Sequence, residues 1–113
     1  MFLEEKRALK RIADRLKKAL GDELISVTAF GSRVRGDFKG DSDLDVLVIV
    51  RERNRDIVDR IVDIFNEEEI RTGIPFSPVV KSSELFEKEK KFNTTFYRNI
   101  KNEGRLFYGK AHD

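Results

Sequence analysis

Apolar residues recur along the chain with two different spacings, which predict helices in some segments and strands in others. Over residues 3–20 they return every three or four positions, as on the buried face of an amphipathic helix, and Gly21 follows as a C-terminal cap. A second helix of this kind is predicted to start from Asn54 as N-cap, to run to about residue 72 and to end at Gly73. Both segments therefore have one apolar face that must pack against something else.

Shorter apolar runs rich in β-branched residues predict three strands. They cover residues 23–30, 43–50 and 74–80. The run Val46–Val50 is apolar at every position, which is typical of a central strand covered on both faces. The two prolines of the last run place that strand at an edge of the sheet, because proline cannot donate a hydrogen bond to a neighbour.

The last third of the chain is predicted to be helical again. Ser83 is a candidate cap for a short turn through residue 90, and Asn93 for a helix through about residue 102. A short apolar tail, Leu106-Phe107-Tyr108, follows a glycine. The order of elements predicts an α/β fold in which a small mixed sheet of about three strands packs with helices, and residues 1–113 form a single domain.

Composition excludes several kinds of chemistry. The chain has 113 residues, no Cys and one His, His112, so disulfides, thiolate metal sites and a Ser-His-Asp triad are ruled out. No apolar run is long enough for a membrane span and no signal-peptide core is present, so we expect a soluble, cytoplasmic protein without a membrane partner. The net charge of +2 gives little support for nucleic acid as a partner.

The balance of residue types also bears on the source. The chain has no Gln and a single Met, and 39% of its residues are charged. Abundant Lys, Glu and Arg with few thermolabile side chains is typical of thermophile proteins, although chance in a short chain gives the same result.

The candidate chemistry lies in one segment, residues 31–45. Asp43 and Asp45 are two positions apart at the start of a strand, so both carboxylates point to the same face. They repel each other unless a cation lies between them, and oxygen ligands of this kind suit Mg²⁺ or Mn²⁺. Gly31 and Ser32 end the preceding strand, where a backbone without a Cβ and a hydroxyl can approach phosphate oxygens.

The Gly31-Ser32 pair, ten intervening residues and Asp43-x-Asp45 resemble the signature of the DNA polymerase β-like nucleotidyltransferases, and the short chain resembles their minimal branch. The resemblance covers nearly the whole chain and implies a polymerase β-like fold. It implies that Gly31, Ser32 and Arg33 bind the nucleotide. It also implies that Asp43 and Asp45 are the catalytic residues and hold Mg²⁺.

The resemblance further implies transfer of AMP from ATP to a hydroxyl. Minimal members commonly act as the antitoxin of a gene pair and modify a tyrosine of a HEPN toxin, so that partner is the expected one, and an oligomer is compatible with the sequence. One departure matters: family members usually carry a third carboxylate on the next strand, where residues 76–80 contain no Asp or Glu. The nearest later acids, Glu84 and Glu87, have no motif supporting them.

Alternatives stay open at this stage. The missing carboxylate favours a weak or inactive module that neutralises its partner by binding alone. A transferase for small molecules and a nucleic-acid-binding domain are further alternatives. Asp37 and Asp41 are interpreted as solvated loop residues, while Arg33 and Arg35 fit phosphate contact and ordinary surface charge about equally. The basic residues of the first helix are interpreted as its solvent-exposed face. Four residues near the end of the chain are interpreted as core: Phe92, Phe96, Tyr97 and Ile100.

Overall fold

A computed structural model describes residues 1–36 and 42–110 of the chain. Five α-helices and four strands are formed in these residues. Their bounds are α1 Leu3–Leu20, β1 Leu24–Phe30, α2 Ser32–Arg35, β2 Leu44–Val50, α3 Arg55–Thr72, β3 Phe76–Ser82, α4 Ser83–Lys91, α5 Thr95–Glu103 and β4 Arg105–Tyr108, with a 3₁₀ turn at Gly21–Glu23. None of the described helices is long and apolar enough to cross a membrane.

The two long helices begin and end where local chemistry predicts. The Asn54 side chain accepts a hydrogen bond from the Ile57 N–H (2.9 Å) and so caps α3. Gly73 ends α3 in the left-handed conformation at φ 74°, which glycine adopts without steric cost. In α1, the N–H of Phe2 donates to Oε1 of Glu5 (2.8 Å), which satisfies one of the free donors at that terminus.

The strands form one mixed sheet in the order β3-β2-β1-β4. β1 runs antiparallel to both β2 and β4, while β2 and β3 are parallel. The central position of β2 and the edge position of β3 are therefore as predicted. The sheet has one strand more than expected, because Arg105–Tyr108, interpreted from the sequence as an apolar tail, pairs with β1 as β4.

Helices cover the sheet on both faces. Val46, Val48 and Val50 of β2 belong to a core under α1 and α3, whereas Leu47 and Ile49 belong to a second core under α4 and α5. This alternation follows from the two-residue period of a strand and explains why β2 is apolar at every position.

Some local predictions need correction. Ser82 and Thr94, not Ser83 and Asn93, cap α4 and α5 by accepting bonds from backbone N–H groups three residues on. Of the four residues predicted to be core, Tyr97 and Ile100 are buried and Phe96 is half-buried. Phe92 is 73% exposed, because α4 has already ended there. Asp37, Asp41 and His112 lie outside the described residues.

A buried carboxylate joins α1 to α3. Glu68 is fully buried and accepts hydrogen bonds from Arg11 (3.0 and 3.2 Å) and from Arg15 (3.1 Å). These two arginines belong to the basic run of α1 that was interpreted as a solvent face, so part of that run is turned inward. With Arg71 at 4.0 Å as a third cation, the arginines around this carboxylate offset the cost of removing it from water.

Candidate active site

The candidate site lies where β1 ends and β2 begins. Because these strands are antiparallel, the end of β1 is beside the start of β2, and Phe30 pairs directly with Asp45. Gly31 and Ser32 follow Phe30, and Asp43 precedes the first residue of β2. The fold therefore brings the Gly-Ser turn and the two aspartates together, as the sequence motif requires.

Gly31 is at a position that only glycine can occupy without strain. Its φ of +88° lies in a region that side chains disfavour, and a Cβ added there would overlap Oδ2 of Asp45. The absence of a side chain lets the turn pass directly against the carboxylate. Ser32 is the first residue of α2 and is half-buried, and its hydroxyl has no hydrogen-bond partner within residues 1–36 and 42–110.

The two aspartates differ in environment. Asp43 is exposed and Asp45 is half-buried. Burial, and next the charge of Asp43, raise the pKa of Asp45 above its ordinary value, while Arg35 lowers it to a smaller extent. Asp45 alternates with Leu47 along β2, so its carboxylate lies on the face of the sheet that α4 and α5 cover.

The two arginines of α2 have different surroundings. Arg33 is buried (9% exposed), forms an ion pair with Glu5 of α1, and donates from Nε to the Ser42 carbonyl (2.7 Å). Arg35 is exposed and pairs with Glu103 of α5 (3.0 Å). The guanidinium of Arg33 is thus already occupied by protein groups, whereas Arg35 is the arginine whose charge acts on Asp45.

Ser77 occupies the place opposite Asp45 on the next strand. In the parallel register of β2 and β3, Asp45 pairs with Ser77, so the residue opposite Asp45 on β3 carries a neutral hydroxyl and not a carboxylate. Glu84 and Glu87 are both exposed on α4, and Glu84 is within 3.6 Å of Lys88. Among the residues that the structure describes, no cluster of three or more metal-ligating His, Cys, Asp or Glu side chains is formed.

The chemistry of the two aspartates fits a bound Mg²⁺. Two carboxylates on one face, one with a pKa raised by burial and by its neighbour, are stabilised by a divalent cation. Mg²⁺ sites in proteins commonly use only one or two carboxylates and are completed by water and substrate phosphates. Asp43 and Asp45 would hold the ion, and the missing third carboxylate does not prevent this.

A cavity of about 550 Å³ lies at the other end of β1 and β2. Ser26, Arg51, Phe86, Lys90 and Tyr108 are among its lining residues. It contains neither the Gly-Ser turn nor the aspartates. This cavity is therefore separate from the candidate active site, which is defined by the Gly-Ser turn and the two aspartates.

A Gly-Ser turn at the end of one strand, beside an Asp-x-Asp pair on its antiparallel neighbour, is the arrangement that the resemblance to the nucleotidyltransferases implies. The model of the nucleotidyltransferase domain family matches residues 9–107. The chain belongs to this family, and the prediction of a nucleotidyltransferase enzyme is confirmed.

A sequence relative supports the same assignment. "Putative protein adenylyltransferase MJ0604" of Methanocaldococcus jannaschii is 32% identical over 107 residues, which cover 94% of this chain and 100% of the relative.

Solved structures share the fold at low sequence identity. A crystal structure of a "putative nucleotidyltransferase" from Sulfolobus solfataricus superposes with a TM-score of 0.63 at 20% identity, covering 96% of this chain and 83% of that one. A complex of a tri-AMPylated HEPN toxin with its MNT antitoxin from Shewanella oneidensis gives a TM-score of 0.54 at 13% identity, covering 93% and 73%. These likenesses confirm the predicted polymerase β-like fold.

Sequence reasoning missed three residues around this site. They are Glu5, which pairs with Arg33, Glu103, which pairs with Arg35, and Ser77, which pairs with Asp45 across the strands. Glu5 carried a signal, because it lies three and four positions before the apolar Ala8 and Leu9 on the inward stripe of α1. Glu103 and Ser77 carried none, since their neighbours are set by the tertiary fold.

Proposed function

We propose that this chain is a Mg²⁺-dependent adenylyltransferase that transfers AMP from ATP to a hydroxyl of a protein. Asp43 and Asp45 hold the metal and act as the catalytic residues, while Gly31 and Ser32 receive the triphosphate. Arg33 contributes to the nucleotide site as part of the same turn. The sequence expectations of a cytoplasmic location and of a thermophilic source stay predictions.

One observation carries the proposal, the close approach of Gly31 to Asp45. The Gly31 Cα has no room for a Cβ because Oδ2 of Asp45 lies against it. A phosphate that contacts the Gly31-Ser32 turn is therefore placed beside the carboxylates that would hold its metal. The free hydroxyl of Ser32 among the described residues supplies a donor for the phosphate oxygens.

The reaction is an adenylyl transfer in which one bond to the α-phosphorus forms as another breaks. The acceptor hydroxyl oxygen forms a bond to the α-phosphorus. The bond from that phosphorus to the oxygen that bridges the α- and β-phosphates breaks. Pyrophosphate leaves with the electron pair, and the hydroxyl proton passes to solvent or to a group of the acceptor. Bound metal supplies Lewis-acid stabilisation of the phosphate oxygens.

The acceptor must come from a second molecule. The similarity to an MNT antitoxin that was crystallised with a tri-AMPylated HEPN toxin supports a HEPN-domain protein as that partner. A tyrosine hydroxyl is the proposed acceptor group. Because Ser77 cannot act as a carboxylate base, we expect proton removal to depend on the acceptor side of the complex.

The second candidate is a protein that neutralises its partner by binding alone. The neutral Ser77 opposite Asp45 favours it, because the site then lacks the third carboxylate of the family pattern. The two candidates differ in whether the partner gains mass.

The test combines the chain with its candidate HEPN partner, ATP and Mg²⁺, and weighs the partner by intact-mass spectrometry. We expect one or more adenylyl groups on the partner. Asp43→Asn and Asp45→Asn should lower the rate at least about a thousandfold, because electrostatic clamping of the phosphates carries most of the catalysis. Asp63→Asn, an exposed aspartate on α3, is the matched control and should keep the wild-type rate.

An unmodified partner that still co-purifies with wild type and with both variants contradicts the enzyme and supports the binding protein. Equal modification by Asp45→Asn and wild type would instead place the chemistry elsewhere. Removal of the divalent metal with EDTA should stop the transfer and should be reversed by added Mg²⁺ or Mn²⁺.

A further inference from the structure

We infer that Glu5 and Arg33 form a positioning pair that fixes the metal-binding aspartates relative to the phosphate-binding turn. This inference rests on the proposed function for its consequence in catalysis, but the pair itself is a feature of the fold. It assigns to the Arg33 side chain a role different from direct contact with phosphate. It also brings α1, which is remote from the motif in sequence, into the site.

Arg33 connects two parts of the motif that are separated along the chain. It belongs to α2, which begins at Ser32 directly after Gly31. Its Nε donates a 2.7 Å hydrogen bond to the carbonyl of Ser42, nine positions later and directly before Asp43. One side chain thus joins the helix of the phosphate-binding turn to the backbone that carries the first aspartate.

Glu5 determines the direction of that side chain. It is 3% exposed and forms an ion pair with the Arg33 guanidinium, while its other carboxylate oxygen accepts from the N–H of Phe2 (2.8 Å). A planar guanidinium held by a carboxylate on one side and a carbonyl on another has little rotational freedom. Breaking such a pair by removing one partner leaves a buried charge uncompensated.

The position of the pair also argues against direct contact with phosphate. Leu44, between the two aspartates, packs in the core under α1 and α3, on the side of the sheet where Glu5 lies. Asp45 faces the opposite side, toward α4 and α5, and Arg35 pairs with Glu103 of α5 on that side. Arg33 and Arg35 therefore support the site from opposite faces of the sheet.

The experiment compares Glu5→Gln and Arg33→Met with Glu68→Gln as the matched control. Glu68 is also a buried carboxylate paired with arginines, but it lies between α1 and α3 away from the motif. Each protein is measured at the same number of degrees below its own thermal unfolding midpoint, so that differences in overall stability do not affect the comparison. The first readout, which needs no ligand, is hydrogen exchange of the Leu44 N–H, which donates to the Pro75 carbonyl (2.9 Å).

We expect Leu44 to exchange at least about tenfold faster in Glu5→Gln and Arg33→Met than in Glu68→Gln, because local opening at the start of β2 becomes easier. The dissociation constant of Mn²⁺–ATP should rise by about 10- to 100-fold in the same two variants, as is typical when a residue that orients metal ligands is removed. The double variant should be no weaker than Arg33→Met alone. Arg33→Lys should keep much of the stability but not the affinity, since lysine lacks the Nε donor to Ser42.

Whether Glu5→Gln lowers or raises nucleotide affinity distinguishes a positioning role of Arg33 from direct contact with phosphate. If Arg33 bound phosphate directly, release from Glu5 would leave nucleotide affinity unchanged or increase it while Arg33→Met lowered it, and this result would overturn the inference. Unchanged Leu44 exchange in Glu5→Gln would overturn it as well. A wild-type protein that binds no Mn²⁺–ATP refutes the proposed function alone, since the exchange measurement still decides the positioning role.

Discussion

Two groups of carboxylates in this molecule are treated in opposite ways. Glu5 and Glu68 are the carboxylates buried in the described part of the chain, and each is paired with arginine. Asp43 and Asp45 are only two positions apart, and burial together with the neighbouring charge raises the pKa of Asp45. The chain neutralises the first group itself and leaves the second with excess negative charge.

The difference supports the proposed metal site at Asp43 and Asp45. A buried charge that holds helices together must be compensated within the fold, because breaking such a pair is costly. A carboxylate pair that meets its cation only in the working complex costs stability in the free protein. Substitutions in one group at a time should separate the two effects.

The largest change in stability is expected for Glu68→Gln. This substitution keeps the shape of the side chain but removes the charge that Arg11, Arg15 and Arg71 share, and we expect a loss of about 2–3 kcal/mol of unfolding free energy. Denaturant unfolding checks this. The matched control is Glu67→Gln, because Glu67 is 59% exposed and pairs with the same Arg15, and it should cost less than about 0.5 kcal/mol. Equal losses for the two variants would contradict the view that compensation in the interior decides stability.

A smaller effect is expected for Gly31→Ala. A Cβ at this position meets Oδ2 of Asp45 and requires a left-handed φ, so we expect a loss of about 2 kcal/mol together with weaker binding of Mn²⁺–ATP. Gly73→Ala is the control, since φ there is also positive (+74°) but its Cβ meets nothing within 4 Å. It should cost about 1 kcal/mol through backbone strain alone and leave nucleotide binding unchanged. If Gly31→Ala matched Gly73→Ala in both unfolding free energy and Mn²⁺–ATP binding, the close approach of Gly31 to Asp45 would matter for neither.

The smallest effect concerns the pH dependence of stability in Asp45→Asn, measured in EDTA. Because the folded protein raises the pKa of Asp45, its favourable contribution is complete below the unfolded pKa and is lost as pH rises through the folded pKa. Asparagine removes that loss, so the variant should gain stability relative to wild type as the pH rises above the ordinary pKa of an aspartate, by less than about 1 kcal/mol for a half-exposed group.

The Asp63→Asn control should show no such gain. A difference between Asp45→Asn and wild type that stays constant with pH would show that the repulsion is absent from the free protein.

Most of the fold could be predicted because hydrophobic spacing decides it. The stripes of α1 and α3 and the unbroken apolar run of β2 are local signals, and their caps are single residues such as Asn54 and Gly73. β4 could not be predicted in this way. Its four residues have no strand pattern of their own and become a strand only by pairing with β1.

The candidate site could be predicted in part for a related reason. The motif fixes which residues meet, since two strand ends in an antiparallel pair must be neighbours. The motif does not show which charged side chains around the site are buried. In a chain with 39% charged residues, composition alone does not distinguish Glu5 and Glu68 from exposed glutamates, although both lie on the apolar stripe of their helix.

The pairing of β4 with β1 has a consequence for the order in which the protein can be made. Val27 and Tyr108 are partners across about 80 positions of sequence, so β1 keeps an open edge until β4 has left the ribosome. A nascent chain that stops after β3 would present that edge to other chains, which favours aggregation. β1, which ends at Phe30, is therefore synthesised before the other described strands but gains its second neighbour only after β4, the last of them, has been made.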